Sequence, residues 1–190
     1  RTFRERFPDV ELTLREITTV EQVQALREDR IQVGFLRLPI SADNIEFEPV
    51  QREPFFLVIS AKHPLASLPE IPLCALEHEP FIFVPHALAP GLYDQMMSIC
   101  VQAGFHPRIV QEAIQYHVII SLVAAGLGVT LVPSSIQTFQ RADVVYRPLQ
   151  HVTIQAEIVA VWRRDDLSPV LRSFLQVVRE HAHTELSSST

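Results

Sequence analysis

Basic side chains are scarce in this chain, which has a single lysine, Lys62, among its 190 residues. Its 16 Lys and Arg residues are outnumbered by 22 Asp and Glu residues, so the formal net charge is −6. Binding to the phosphates of nucleic acids requires clustered positive charge. These residues alone are therefore not expected to hold DNA.

Cysteine is equally scarce, and long apolar runs are missing. Cys74 and Cys100 are far apart and form no CxxC pattern, so no disulfide framework is indicated and a cytoplasmic location is predicted. The longest apolar stretch, residues 118–132, is interrupted by two glycines, a serine and a threonine, so we expect no membrane span. The charged first residues, RTFRERFP, lack the apolar core of a signal peptide.

Motifs of common catalytic centres are also missing. The sequence contains no GxSxG elbow, no phosphate-binding P-loop and no GxGxxG dinucleotide turn. Its eight histidines do not show the spacing of zinc ligands. We therefore predict that the chain is not an enzyme and that it holds no metal and no cofactor.

What the sequence does contain is a regular alternation of strand-like and helix-like segments. Residues 10–17 alternate apolar and polar side chains, which is typical of a strand. Residues 18–30 show a helical apolar stripe, with a capping box beginning at Thr18 or Thr19. Residues 31–36 form an apolar run, so this strand–helix–strand unit favours a parallel sheet. Further strands are predicted at 45–50, 55–60, 81–84, 108–111, 129–132, 144–148 and 154–162, and further helices at 2–7, 90–103, 116–125 and 169–181, with a helical turn at 73–76 and a helix beginning at Pro133.

The order of these elements predicts two α/β lobes. Residues 54–152 have a β-α-β-α-β series of their own, and residues 1–53 and 153–190 form the other lobe. The chain then crosses between the lobes twice, which makes a two-strand hinge. A cleft between hinged lobes is a common binding place for a small molecule.

The most specific segment is SLVAAGLGVTLVP, from Ser121 to Pro133. Its pattern predicts a helix that ends in a glycine turn, a buried strand and a helix that begins at a proline. Locally it implies no more than a compact helix-to-strand connection. As a sequence, it closely resembles the VAAGxGxxxVP segment of the effector-binding domains of LysR-type transcription regulators.

Other segments resemble the same family in the same order along the chain. They are FPDV at 7–10 followed by LTLRE at 12–16, the stretch from Leu26 to Phe35, the stretch from Pro54 to Ala66, and the last helix with Pro169 and Phe174. Asp29 and Gln32 depart from the family pattern, which has a glycine and an aspartate there. The resemblance covers nearly the whole chain and is closest to the branch that senses aromatic compounds and their degradation products.

The resemblance implies the type 2 periplasmic-binding-protein-like fold, in which an effector binds between two α/β lobes. Two family parts are not found in these 190 residues. They are the N-terminal winged helix-turn-helix with its linker helix, and the first strand of the effector-binding domain with the start of the helix after it. The family also implies a homodimer or tetramer that contacts promoter DNA through the N-terminal domain alone, and no membrane.

In the first lobe, the candidate effector contacts are Thr18, Thr19, Phe35 and Arg37. The Thr19 hydroxyl and the free N–H groups of the helix that it starts could hold an anion, although a plain helix cap is the alternative. Phe35 and Arg37 end a strand of the same lobe. The Arg37 guanidinium could bind a carboxylate through two parallel hydrogen bonds, or it could form an ion pair with Glu53.

In the second lobe, the candidates are His86, Pro90 and Leu92. By its position in the family pattern, the loop that holds them contacts the effector. His86 could donate a hydrogen bond to a carboxylate, or it could face solvent as an ordinary loop histidine. Leu92 stands where aromatic-sensing relatives often have an aromatic residue, so this chain leaves more room there.

We therefore predict the ligand-sensing domain of a LysR-type regulator, which binds a small aromatic or dicarboxylic acid to control transcription. The alternative is an exported solute-binding protein of the same fold. A small α/β enzyme is a third hypothesis, and it lacks a catalytic group that the sequence can identify.

Overall fold

A computed structural model describes the backbone of residues 1–40 and 43–187 and the side chains as far as residue 182. The helices are α1 (Thr2–Arg6), α2 (Thr19–Arg27), α3 (Pro90–Gln102), α4 (Tyr116–Ala124) and α5 (Pro169–Ser187). The strands are β1 (Gly34–Leu36), β2 (Ile45–Ser60), β3 (Pro80–Phe83), β4 (Arg108–Glu112), β5 (Thr130–Pro133), β6 (Val144–Pro148) and β7 (Gln155–Arg163). Short 3-10 helices lie at Pro64–Ser67, Leu73–Leu76 and Ser134–Thr138. None of the described helices combines the length and the apolar character needed to cross a membrane.

The first of two compact units contains Arg1–Arg52 and the chain from Glu157 onward. In this first unit, β1 pairs antiparallel with β7. Alternate residues of β7 face opposite sides of the sheet. Val159 and Val161 pack with residues of α2, β1 and β2, whereas Ala160 packs against α5. The burial of both faces of β7 explains the continuous apolar run in its sequence.

The second unit comprises Glu53–Ala156. Here β2 pairs antiparallel with both β5 and β6, and β3 pairs parallel with β4. Its core is one cluster of buried side chains, among them Phe55, Leu57, Phe81, Phe83, Met96 and Ile119. The assignment of the two units as effector-binding lobes stays a prediction.

The strand predicted at residues 10–17 is not found, and these residues have no regular secondary structure. A strand needs a hydrogen-bonded neighbour, and no described strand pairs with this segment. The parallel pair expected between residues 10–17 and 31–36 is therefore wrong. The only described partner of β1 is β7, and that pairing is antiparallel.

The two strands predicted at 45–50 and 55–60 are one continuous strand, β2. Glu53 and Pro54, which lie between the two predicted strands, belong to β2 as well, although proline lacks an N–H donor. The pairing of β2 with β5 begins at Phe55, directly after this proline. The missing donor therefore does not interrupt that ladder.

The SLVAAGLGVTLVP segment has the predicted local structure. Helix α4 ends at Ala124, Gly126 has a positive φ of 78°, and β5 follows at Thr130. The backbone N–H of Val129 donates to the carbonyl of Pro80 at 2.8 Å, which ties the glycine turn to β3. The helix expected after Pro133 is the 3-10 helix Ser134–Thr138. Helix α5 begins at Pro169 as predicted but runs beyond residue 181, because no glycine or proline follows to end it.

Candidate functional site

The N-terminus of α2 is closed by a complete capping box at Thr18. The Thr18 backbone N–H donates to the Glu21 carboxylate at 2.7 Å, and the Thr18 hydroxyl donates to the same oxygen at 2.8 Å. The Glu21 backbone N–H in turn donates to the Thr18 hydroxyl oxygen at 3.4 Å. The two hydrogen bonds that Thr18 donates lower the pKa of Glu21, and the one from its backbone N–H has the larger effect. The Thr18 side chain is therefore the cap of α2, and its contact with an effector stays a prediction.

Thr19 is the first residue inside α2, whereas Thr18 is the N-cap that precedes the helix. Its half-buried hydroxyl has no hydrogen-bond partner among the described residues, nor do the backbone N–H groups of Thr19 and Val20. Such first-turn N–H groups point along the helix axis at its positive end. The arrangement can accept a carboxylate or another small anion.

Phe35 lies on a different surface of the first unit. Its side chain is 43% exposed, and its ring meets the Phe174 ring edge-on, with 6.4 Å between the centroids. It lines a groove of about 470 Å³ together with Leu12, Leu14 and Val170. Leu14 is 80% exposed there, so the groove presents apolar surface to solvent. The structure places Phe35 with aromatic and aliphatic side chains, and its contact with an effector stays a prediction.

Arg37 follows β1 directly and is half-buried. It has an interaction partner, so it is not a free cation. The Glu53 carboxylate is buried and accepts hydrogen bonds from the Ser134 hydroxyl at 3.1 Å and from the Ser135 backbone N–H at 2.6 Å. The Ser135 hydroxyl also donates to it at 3.1 Å. Both hypotheses for Arg37, a carboxylate contact and an ion pair with Glu53, stay predictions.

In the second unit, His86 lies against the first turns of α3. Its Nε2 atom is 3.4 Å from the Asp94 carboxylate, and its ring is perpendicular to that of Tyr93, with 5.0 Å between the centroids. The His86 side chain is 58% exposed. The sequence analysis did not single out Tyr93 and Asp94. The only signal in the sequence was their position in the first turns of the predicted helix, three and four residues after Pro90.

Pro90 and Leu92 are both in the first turn of α3, but they differ in exposure. Pro90 is the first residue of the helix and is half-buried. Leu92 is only 7% exposed and belongs to the apolar core of the second unit. No side chain caps α3, and the N–H groups of Gly91 and Leu92 have no acceptor among the described residues. Effector contacts of Pro90 and Leu92 stay predictions.

Metal chemistry receives no support from the side chains described. Residues 1–40 and 43–182 contain no group of three or more His, Cys, Asp or Glu side chains placed to hold a metal ion. At the start of α2 and at the start of α3, first-turn N–H groups have no acceptor among the described residues. Such groups suit the binding of an anion.

A family model described as the LysR substrate binding domain matches residues 1–183. The HTH-type transcriptional regulator AlsR of Bacillus subtilis is 37% identical over 177 residues, which are 93% of this chain and 59% of AlsR. The HTH-type transcriptional regulator CatR of Pseudomonas putida is 34% identical over 174 residues, which are 92% of this chain and 60% of CatR. The chain thus spans about three fifths of these curated relatives.

The structure is similar to that of the BenM effector binding domain with its effector benzoate. The TM-score is 0.84 at 29% identity, over 97% of this chain and 84% of the BenM chain. This similarity confirms the type 2 periplasmic-binding-protein-like fold. The relatives are transcription regulators, which does not favour an exported solute-binding protein and is consistent with a protein that is not an enzyme. The chain belongs to the LysR substrate-binding domain family.

Proposed function

We propose that this chain is the ligand-sensing domain of a LysR-type transcription regulator and that it binds a small aromatic or dicarboxylic acid. The observation that carries the proposal is the set of open donors at the start of α2, the Thr19 hydroxyl and the N–H groups of Thr19 and Val20. The BenM effector binding domain, which has a similar fold, holds benzoate, an aromatic acid.

The physical argument for an acid is electrostatic. The α2 N-terminus carries part of the helix dipole, and its N–H groups gain a charge-assisted acceptor when a carboxylate binds. The Glu21 carboxylate at the same end opposes an approaching anion, and two hydrogen bonds from Thr18 disperse part of its negative charge.

Control of transcription requires the longer protein of which such a domain is a part. The ligand must bind two states of the regulator with different affinities, because equal affinity shifts no equilibrium. In the proposal, a cytoplasmic homodimer or tetramer contacts promoter DNA through its N-terminal domain. The position of the effector between the two lobes stays a prediction from the family resemblance.

Isothermal titration calorimetry of the full-length gene product with benzoate, salicylate and cis,cis-muconate tests this proposal. We expect at least one acid to bind, and Thr19→Val to weaken it by roughly 10- to 100-fold, the loss of one hydrogen bond to a charged group. Thr153→Val, at an exposed position of the second unit, is the matched control and should bind as the wild type does. Binding of none of the acids contradicts the proposed ligand class, and unchanged affinity in Thr19→Val removes Thr19 from the site.

A further inference from the structure

The groove of the first unit is lined by two continuous runs of residues, 10–15 and 30–35. In an extended chain, neighbouring side chains point to opposite sides, so a wall made of side chains alone would involve every second residue. A wall that involves every residue in turn also exposes the edge of the backbone. Two stretches of backbone edge therefore border this groove.

Both backbone edges are open within the part of the chain that the structure describes. Residues 11–15 donate no backbone hydrogen bond to a described residue. Strand β1, which ends the second run, pairs with β7 along one edge and has no described partner along the other. Such a row of N–H and C=O groups is a template for pairing with a further strand.

The side chains of the groove are those that an added strand would cover. Leu14 and Phe35 are exposed, and Leu12 lines the groove two residues before Leu14. Phe3 and Phe174 also line it, with their rings edge-on and 5.1 Å between the centroids. Binding by strand addition combines backbone hydrogen bonds with apolar pockets for alternate side chains. This groove offers both.

We propose that the groove holds an added β-strand contributed by the residues that precede Arg1 in the longer protein. Arg1 and Arg4 line a second depression together with Leu12 and Leu14, so a segment attached to Arg1 begins beside the groove. A tether of this kind gives the segment a high effective concentration at the groove. The inference rests on the proposed function, which makes this chain one domain of a longer regulator.

The two bordering runs define the strand that fits. Their length suits a strand of about six residues, which would cover both Leu14 and Phe35. Every second side chain of the strand, facing Phe3 and Phe174, should be aliphatic or aromatic. Helix α1 leads from the added strand to residues 10–15, and a helical crossover of this kind joins parallel strands. The strand should therefore run parallel to that segment.

Hydrogen–deuterium exchange of the full-length gene product tests this inference. We expect the amides of residues 11–15 to exchange at least about 100-fold more slowly than unprotected amides, because the added strand pairs with them. Tenfold dilution of the protein should not change this protection, since the strand belongs to the same chain. Free exchange overturns the inference, and protection that is lost on dilution overturns it in favour of a second copy of the chain.

Substitution of Leu14 gives a second test in the same protein. Leu14 is 80% exposed and Leu167, outside the groove of the same unit, is 68% exposed, so without an added strand serine at either position should have a similar effect. We expect Leu14→Ser to lower the urea midpoint of the full-length gene product by roughly 0.5–1 M more than Leu167→Ser does. Equal midpoints overturn the inference. Should Leu14→Ser not fold, the exchange of the wild type decides.

The outcomes separate this inference from the proposed ligand. If an acid binds in calorimetry and residues 11–15 exchange freely, the added strand is overturned and the proposed function stands. If residues 11–15 are protected at every protein concentration and none of the acids binds, the proposed ligand class fails and the added strand stands.

Discussion

Two glycines of the SLVAAGLGVTLVP segment are needed for different physical reasons. Gly126 has a φ of 78°, and a Cβ atom there would meet no other atom within 4 Å. Gly128 has no unusual φ, but a Cβ there would lie 2.5 Å from the carbonyl oxygen of Pro80. Glycine is therefore needed at 126 because the backbone is left-handed there. It is needed at 128 because a side chain would prevent the close approach of the turn to β3.

Substitutions at these two glycines should distinguish the effect of the left-handed backbone at Gly126 from that of the steric contact at Gly128. We expect Gly128→Ala to lower the free energy of unfolding by about 1–3 kcal/mol through overpacking. Gly126→Ala should lower it by about 1–2 kcal/mol through the left-handed conformation. Asparagine tolerates that conformation, so Gly126→Asn should recover part of the loss, whereas Gly128→Asn should not. Urea denaturation measures all four variants, and wild-type stability in Gly128→Ala contradicts the contact with Pro80.

The capping box of α2 should make stability depend on pH. Hydrogen bonds from Thr18 hold the pKa of Glu21 below its ordinary value of 4.5 in the folded chain. A group with a lowered folded pKa stabilises the fold above its unfolded pKa, and this contribution is lost as the pH falls through the folded pKa. We therefore expect Glu21→Gln to lose less stability than the wild type does between pH 6 and pH 3 (about the range in which carboxylates titrate).

Urea denaturation at a series of pH values checks this expectation. Glu70→Gln is the matched control, because it removes the same charge from an exposed position that has no hydrogen-bond partner among the described residues. It should follow the wild-type profile. Identical profiles for Glu21→Gln and the wild type would show that the capping box does not contribute to acid sensitivity.

At the scale of elements, the segment from Val10 to Ile17 differs most from its prediction. Its alternating pattern is that of a strand, yet the structure gives it no regular structure. An alternating pattern makes a segment suitable for a strand with one buried face. It does not ensure that another strand lies alongside to form the hydrogen bonds. The segment borders the first-unit groove, where Leu12 and Leu14 meet no facing strand.

Hydrogen–deuterium exchange of the 190-residue chain should show this absence. We expect the amides of residues 11–15 to exchange rapidly, since none of them donates a hydrogen bond to a described residue. Amides of Phe56, Leu57 and Val58 in β2, where the strand has a partner on both sides, should exchange slowly and serve as the internal reference. Strong protection of residues 11–15 would contradict the unpaired backbone.

At the scale of the whole molecule, the two cysteines report on folding. Cys74 is exposed, whereas Cys100 is buried in the second unit, and burial raises the pKa of its thiol to about 12. A thiolate is the reactive form, so Cys100 should be inert in the folded protein. We expect Ellman's reagent at pH 8 (roughly the ordinary thiol pKa) to label Cys74 alone, and both residues only after denaturation. Labelling of Cys100 at the same rate as Cys74 in native buffer would contradict the packed core.

The candidate site could be predicted in part. Thr18 and Thr19 lie at the start of a helix as the capping pattern indicates, although only the structure shows that Thr18 is the cap and Thr19 the open residue. Leu92 shows the limit of this reasoning, because its burial depends on strands and helices far away in sequence. The side-chain oxygen of Gln95, Oε1, is buried without a hydrogen-bond partner among the described residues, a property of three-dimensional packing that no local pattern signals.

The sequence by itself determined the family and the ends of several elements, among them the start of α2, the glycine turn after α4 and the start of α5. These features depend on hydrogen bonds and steric limits within a few residues, which short motifs encode. Only the tertiary structure decided that β2 continues past Pro54, that residues 10–17 pair with no described strand, and that Oε1 of Gln95 has no hydrogen-bond partner among the described residues. Each of these outcomes depends on which distant segment lies alongside, because strand pairing and burial are set by partners that are remote in the chain.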